Sequence, residues 1–316
     1  MNNPGPRNNE SLAHGRAPDA PVMGVRPEVI ECRGLELTLG RIPRVMGILN
    51  VTPDSFSDGD RFARPEAAIR RALAMRDAGA HIIDVGGEST RPGATPVSAG
   101  EELDRVLPVL DAACHLGERG KRQIPVSIDT RKAEVAEAAI RRGCHMVNDV
   151  SAASDPEMAS VLRDHPGVPI VLMHMTGEPG TMQEAPIYDD VVSEVTAYLA
   201  DRAESLIEAG IERGRIILDP GIGFGKRFAD NLQLLNRIDS LRALGYPVLI
   251  GASRKRFLGE LLDAPAGDRL PGSLAVAAHC YRAGTDIVRV HDVAATAGMF
   301  RVLDALEHPG DYKAEW

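Results

Sequence analysis

Eight short aliphatic runs recur along the chain, each followed by a glycine-containing loop and then by a longer stretch of helical spacing. The runs are Val45–Asn50, Ile82–Val85, Val126–Asp129, Met146–Val150, Ile170–Met173, Ile216–Asp219, Val248–Ile250 and Ile287–His291. The stretches with apolar residues at helical intervals are Arg64–Ala78, Ala99–Glu118, Lys132–Arg142, Pro156–His165, Asp190–Ala209, Ala229–Leu244, Ser273–Arg282 and Val293–Glu307. Repeated β-α units demand parallel strands. Strands buried on both faces read as unbroken Val, Ile and Leu, as these do. Eight such units in roughly 270 residues predict an α/β fold of the (β/α)8 TIM-barrel type. The rival is an open doubly wound sheet, which calls for a glycine-rich phosphate turn after its first strand. Here the first run ends in Asn50-Val51-Thr52-Pro53, and Gly221, Gly223 and Gly225 follow the sixth run instead.

Ahead of the barrel, Val29–Glu31 and Leu35–Leu39 flank Arg33-Gly34 and predict an N-terminal β-hairpin. Residues 2–27 hold five prolines, three glycines and four asparagines with no apolar periodicity, which reads as a disordered leader. The expected organisation is therefore a leader over 1–27 and a single barrel domain over 28–316.

Composition narrows the function. Aromatic residues are only 4% of the chain, so the core is aliphatic and there is little to stack on the bases of a single-stranded nucleic acid. A net charge of −9 argues against polyanion binding, because that needs a basic face that displaces counterions. Nucleic acid is therefore excluded as a partner, although a local basic pocket is not. The four cysteines, Cys32, Cys114, Cys144 and Cys280, lie far apart without CxxC spacing, so a cytoplasmic location is expected over a disulfide framework or a zinc site. No uncharged apolar run reaches the ~18 residues of a membrane span, and no apolar segment follows a basic start.

In such a barrel the active site forms where the C-terminal strand ends meet. The runs end near Asn50, Asp84, Asp129, Asn148, His174, Asp219, Ser253 and His291. Any one polar strand end is explained by its leaving the core. The Gly-, Ser- and Thr-rich segments that follow, among them Gly86–Thr90 and Asp219–Gly223, are explained less well that way. Asp129, Asn148, Asp219 and Lys255 can read a planar heterocycle, since carboxylates accept paired N–H bonds and an amide both donates and accepts. Ion pairing of either Asp with a neighbouring cation is the plain alternative, and a paired-carboxylate hydrolase is not favoured by the spacing. Arg289 and His291, at i and i+2 of one strand, share a face and suit an anion. Asn50, on the neighbouring strand, can add a neutral oxygen ligand for Mg²⁺ held mainly by a pyrophosphate and waters. Ser253-Arg254-Lys255-Arg256 reads as a helix start with N–H donors for a carboxylate, or as ordinary capping. Asn50–Asp60 and Glu88–Thr95 have the composition of loops that close over a substrate, with Phe56 an aromatic inside the first.

These residues sit in segments that resemble a known family. Met46–Gly59 and Ile83–Gly93 are similar to the two long signatures of dihydropteroate synthases. Ser127–Thr130, Asn148–Val150, Leu172–Met175, Asp219–Lys226, Ser253–Lys255 and Arg289–Asp292 continue the match in order. The resemblance covers roughly residues 30–307. It departs at Asp60, where a small residue is frequent, and in the long leader, and it shows no insertion within Glu88–Pro96. The resemblance implies joining 4-aminobenzoate to 6-hydroxymethyl-7,8-dihydropterin diphosphate, with Mg²⁺, giving 7,8-dihydropteroate and pyrophosphate. It further implies that Asp129, Asn148, Asp219 and Lys255 hold the pterin. Thr90, Arg91, Arg289 and His291 would take the diphosphate, with Asn50 toward the metal. Phe56, Pro92, Phe224, Ser253 and Lys255 would form the 4-aminobenzoate pocket, which is also the sulfonamide site in such enzymes. Asp129, Arg289 and His291 become the transition-state stabilisers, no covalent nucleophile is needed, and a homodimer is the expected assembly. A methyltetrahydrofolate methyltransferase domain could share the pterin-reading positions but has no use for the diphosphate and carboxylate sets. A pterin-binding paralogue without catalysis is the other alternative.

Overall fold

The computed structural model describes residues 25–52, 63–89, 94–115, 123–177, 182 and 186–312. A hairpin opens it, β1 (Val29–Cys32) pairing antiparallel with β2 (Leu35–Thr38). Its two-residue turn puts Arg33 and Gly34 at φ 53° and 85°, the twist that suits tight hairpins.

The eight remaining strands are β3 (Arg44–Asn50), β4 (Ile82–Gly86), β5 (Val126–Asp129), β6 (Met146–Asp149), β7 (Ile170–Met173), β8 (Ile216–Asp219), β9 (Leu249–Ile250) and β10 (Ile287–Val290). All pair in parallel in the order β8-β7-β6-β5-β4-β3-β10-β9. The barrel closes through a parallel bridge between Leu218 and Val248, where Leu218 N–H donates to Pro247 O at 2.9 Å. The expected (β/α)8 barrel with an N-terminal hairpin is the fold observed.

Helices α1 (Ala63–Asp77), α2 (Ala99–Ala113), α3 (Ala133–Arg141), α4 (Met158–Asp164) and α5 (Val191–Glu208) follow β3 to β7. Beyond β8 the pattern differs from the sequence reading. The single helix expected over Ala229–Leu244 is two, α6 (Phe228–Asn236) and α7 (Ile238–Arg242), broken at Arg237 with φ −121° and ψ 38°. Leu234, Leu235, Ile238 and Leu241 keep helical spacing across the break and are all buried, so the apolar pattern carries no trace of it. The helix start read at Ser253–Arg256 is a short helix, α8 (Arg256–Leu262), which precedes α9 (Leu270–Arg282), and α10 (Val293–Glu307) closes the series. The helix expected to run to Glu118 ends at Ala113, and residues 116–122 lie outside the described set.

Strand alternation sorts the barrel into an outer and an inner set. Val45, Ile83, Val126, Ile128, Val147, Ile170, Leu172 and Val288 face the helices within the large outer core. Met46, Ile82, Met146, Val171, Ile217, Leu249 and Ile287 point inward and form a second core with Ile30, Cys32, Leu37 and Leu39 of the hairpin. The hairpin thus plugs the bottom of the barrel. Two residues further along the same strands, still facing inward, the lining becomes Asp84, Asn148, Asp219 and Arg289, with Asp129 beside them on β5. A polar layer therefore rests on an apolar floor at the C-terminal end.

Candidate active site

The polar layer is nearly dry. Asp84, Asp129, Asn148 and Asp219 are all buried. A carboxylate so placed must neutralise or find a partner. Arg289 supplies one. Its Nε donates to Asp84 Oδ2 and its Nη2 to Asp129 Oδ2, each at 2.6 Å. Asn148 Nδ2 donates to the same Asp84 oxygen at 3.0 Å. The expected sets are thus joined: the Arg289 assigned to an anion is ion-paired with the Asp129 assigned to the heterocycle.

Three acids around one arginine leave acid in excess, and burial acts on the remainder. Desolvation pushes Asp129 up to about 7; Arg289 works against it, while Asp84 reinforces it. Asp219 is raised to about 6 by burial, moderated by the Gly221 N–H at 2.7 Å and by Lys255 and Lys226. Burial lowers Lys255 to about 7, with the like charge of Arg289 helping and Asp219 opposing. For Arg289 burial disfavours the charge, but Asp84 and Asp129 overcome it and raise the pKa.

Above the layer opens a cavity of about 920 Å³, lined among others by Asn50, Asp129, Phe224, Ser253, Lys255, Arg289 and His291. Asn148 and Asp219 stand next to this lining rather than in it: Asn148 is the register partner of Asp129, and Asp219 lies against Gly251. The Lys255 ammonium stands 3.6 Å from the centre of the Phe224 ring, an apolar face closed by a cation. Phe56, Thr90, Arg91 and Pro92, expected in the same site, lie outside the described residues.

Ser253 does not start a helix. Helix α8 begins at Arg256 with Lys255 in the capping position, and that end has no side-chain cap. The reason is visible in the partners of Ser253. Its Oγ accepts the His291 N–H at 3.2 Å and lies 3.1 Å from His291 Nδ1. The hydroxyl can donate its own proton to Nδ1, an arrangement that puts the ring proton on Nε2. Burial, with Arg289 and Arg254 nearby, lowers His291 to about 4. His291 is therefore a neutral N–H donor at pH 7, not the cation that its place beside Arg289 suggests.

Two further groups were not assigned from sequence. Asp84 was visible only as a polar strand end inside a signature. Lys226 was one letter of a glycine-rich motif. Lys226 is 3% exposed, and its Nζ contacts His174 Nδ1 at 2.9 Å, Phe224 O at 2.9 Å and His174 O at 3.2 Å. Burial lowers it to about 7. It stitches the loop after β8 to the end of β7. Gly221 makes the approach possible: at φ 67°, a Cβ there would lie 2.0 Å from His174 O. Among the described residues no group of three or more His, Cys, Asp or Glu is placed to hold a metal.

The family model for pterin binding enzymes matches residues 46–291. The dihydropteroate synthase of Bacillus subtilis (strain 168) is 45% identical over 284 residues, covering 90% of this chain and 95% of that protein. The Escherichia coli (strain K12) enzyme is 45% identical over 273 residues, covering 86% and 94%. Among solved structures, Xanthomonas albilineans dihydropteroate synthase with 4-aminobenzoic acid superposes with a TM-score of 0.82 at 46% identity, covering 89% of this chain and 98% of that one. The same enzyme in complex with 7,8-dihydropteroate gives 0.79 at 43% identity, covering 88% and 98%. Fold, site and likeness agree, and the chain belongs to the dihydropteroate synthase family of pterin-binding enzymes.

Proposed function

We propose that the mouth of this barrel joins 4-aminobenzoate to 6-hydroxymethyl-7,8-dihydropterin diphosphate, forming 7,8-dihydropteroate and pyrophosphate. The observation that carries the reading is the buried layer of Asp84, Asp129, Asn148 and Asp219 beneath Lys255, Arg289 and His291. Such a floor accepts N–H groups from a flat heterocycle, while Arg289 and the neutral His291 donor face what leaves.

In this reading Asp129, Asn148, Asp219 and Lys255 hold the pterin. Arg289 and His291, with Thr90 and Arg91, take the diphosphate. Phe224, Ser253 and Lys255, with Phe56 and Pro92, form the 4-aminobenzoate pocket. An aryl amine is nucleophilic as it stands, so the barrier lies in breaking the bond between the pterin methylene carbon and oxygen. Arg289 and the His291 Nε2–H stabilise charge gathering on the departing oxygen, which is where preorganised donors lower a barrier most. Ionised Asp129 and Asp219 stabilise positive charge on the ring, favouring bond breaking before the amine attacks.

The donor set fits Mg²⁺ carried in by the substrate: Asn50 offers one neutral oxygen at the mouth, and the remaining ligands would be diphosphate oxygens and water. Bound there, the ion would neutralise charge on the pyrophosphate. Cytoplasmic residence agrees with four free, buried cysteines. A homodimer would cover Val302 and Leu306 on α10, which are 59% and 72% exposed. Light scattering would read its mass.

The purified chain, given both substrates and Mg²⁺, should release pyrophosphate and dihydropteroate in equal amounts. Chelation should stop turnover, and a sulfonamide should compete with 4-aminobenzoate. No dihydropteroate under these conditions would refute the reading.

A further inference from the structure

We propose that Asp84 is a positioning residue that sets which heterocycle the barrel accepts, by holding the Asn148 amide with its oxygen toward the cavity. The inference rests on the pterin reading of the site and goes one step behind it. Asp84 is fully buried and does not line the cavity. Its Oδ2 takes both the Asn148 Nδ2 donor at 3.0 Å and the Arg289 Nε at 2.6 Å, and its Oδ1 is buried without a partner among the described residues.

Paired with the Arg289 guanidinium, the Asp84 carboxylate serves as an acceptor, so the amide presents its nitrogen side to it. The carbonyl side is then fixed by elimination. Among the described residues no donor reaches Asn148 Oδ1, and it is not one of the buried side-chain atoms closed off without a partner. It keeps access on the side away from Asp84, next to its register neighbour Asp129, which lines the cavity. The floor therefore offers oxygen acceptors from Asn148, Asp129 and Asp219. A 2-amino pteridine brings N–H groups to that floor; a 2-oxo pteridine brings an oxygen. Turning the amide over would set two oxygens against each other at Asp84, so the site cannot adapt to the 2-oxo ring by a flip. A site whose buried polar groups would be left unpaired discriminates by orders of magnitude.

The test uses 6-hydroxymethylpterin and its 2-oxo counterpart as probes, with dissociation constants measured by calorimetry on the wild-type chain and on Asp84→Asn. The wild type should favour the 2-amino probe by at least about a hundredfold. Asp84→Asn frees the amide to turn, because an asparagine can donate to an inverted Asn148. The preference should fall by about tenfold or more, through tighter binding of the 2-oxo probe relative to the pterin. A merely structural role, or loss of the Arg289 contact, would weaken both probes alike and leave the ratio unchanged; that result overturns the proposal. Should the variant not fold, neutron diffraction on wild-type crystals decides the same point, because deuterons mark the amide nitrogen. Deuterons directed at Asp84 support the proposal, and a carbonyl oxygen directed there overturns it. A wild-type chain that binds neither probe would sink the pterin reading itself and the proposal with it, an outcome distinct from an unchanged ratio.

Discussion

Arg289→Leu removes the cation that touches both Asp84 and Asp129 and leaves their carboxylates facing each other. Breaking a buried pair in this way costs about 3–5 kcal/mol when the orphaned charge cannot escape. Here it can escape by taking a proton. Asp129 is already at about 7 in the native protein, mainly through burial, and Arg289 holds it down from going higher. In the variant its folded pKa moves above 7, while the unfolded value is unchanged. Between those two folded values the variant's native state keeps a proton that the wild type has released. The native state of the variant then binds more protons, so its stability relative to wild type falls as pH rises, by up to about 1.4 kcal/mol per unit. The difference in unfolding free energy should be smallest at pH 6 and wider by about 2–3 kcal/mol at pH 9. Urea unfolding of both proteins at pH 6, 7.5 and 9 reads it directly. A gap that does not change with pH would refute the claim that Arg289 is the counter-ion of this layer.

Three other outcomes follow from the same geometry. Asp129 and Asp219 are raised by burial to about 7 and about 6, and in the proposed reading their ionised forms would accept ring N–H groups, so affinity for 6-hydroxymethylpterin should climb from pH 5 to pH 8 and then level; calorimetry across that range would expose a flat profile. Gly221→Ala drives a Cβ to 2.0 Å from His174 O at φ 67°, so thermal unfolding should show a loss above about 1 kcal/mol. Lys226 is lowered to about 7 against 10.5, chiefly by burial, so the wild-type native state binds fewer protons than the unfolded state between those values and gains stability as pH rises through them. Lys226→Met should abolish that gain, and it should cost about 1–3 kcal/mol by leaving Phe224 O and His174 O without their donor.

The barrel was legible because its evidence is periodic. Eight aliphatic runs and the helical spacing between them are properties of local sequence, and even Arg33-Gly34 announced its turn. The break at Arg237 was not legible, since Leu234, Leu235, Ile238 and Leu241 bury across it with unbroken spacing. Polar strand ends named the mouth, and the structure brings Asn50, Asp129, Phe224, Ser253, Lys255, Arg289 and His291 around one cavity. Which polar group meets which is a three-dimensional fact. Asp84 and Arg289 are 205 residues apart, so neither motif could reveal that one arginine bridges two acids. The Ser253–His291 contact, which sets a hydroxyl against Nδ1 of the histidine, likewise joins strand ends that are remote in sequence.

In the proposed division of labour, carboxylates lie under the ring and donors at the leaving group, so that the ring would carry positive charge before the amine attacks. The measurement that bears on it most directly is turnover with a series of ring-substituted 4-aminobenzoates of graded nucleophilicity, at saturating concentration. A rate nearly independent of the amine is expected. A rate that rises steeply with nucleophilicity would contradict this division of labour, because the attacking amine would then be driving the bond breaking in place of the barrel.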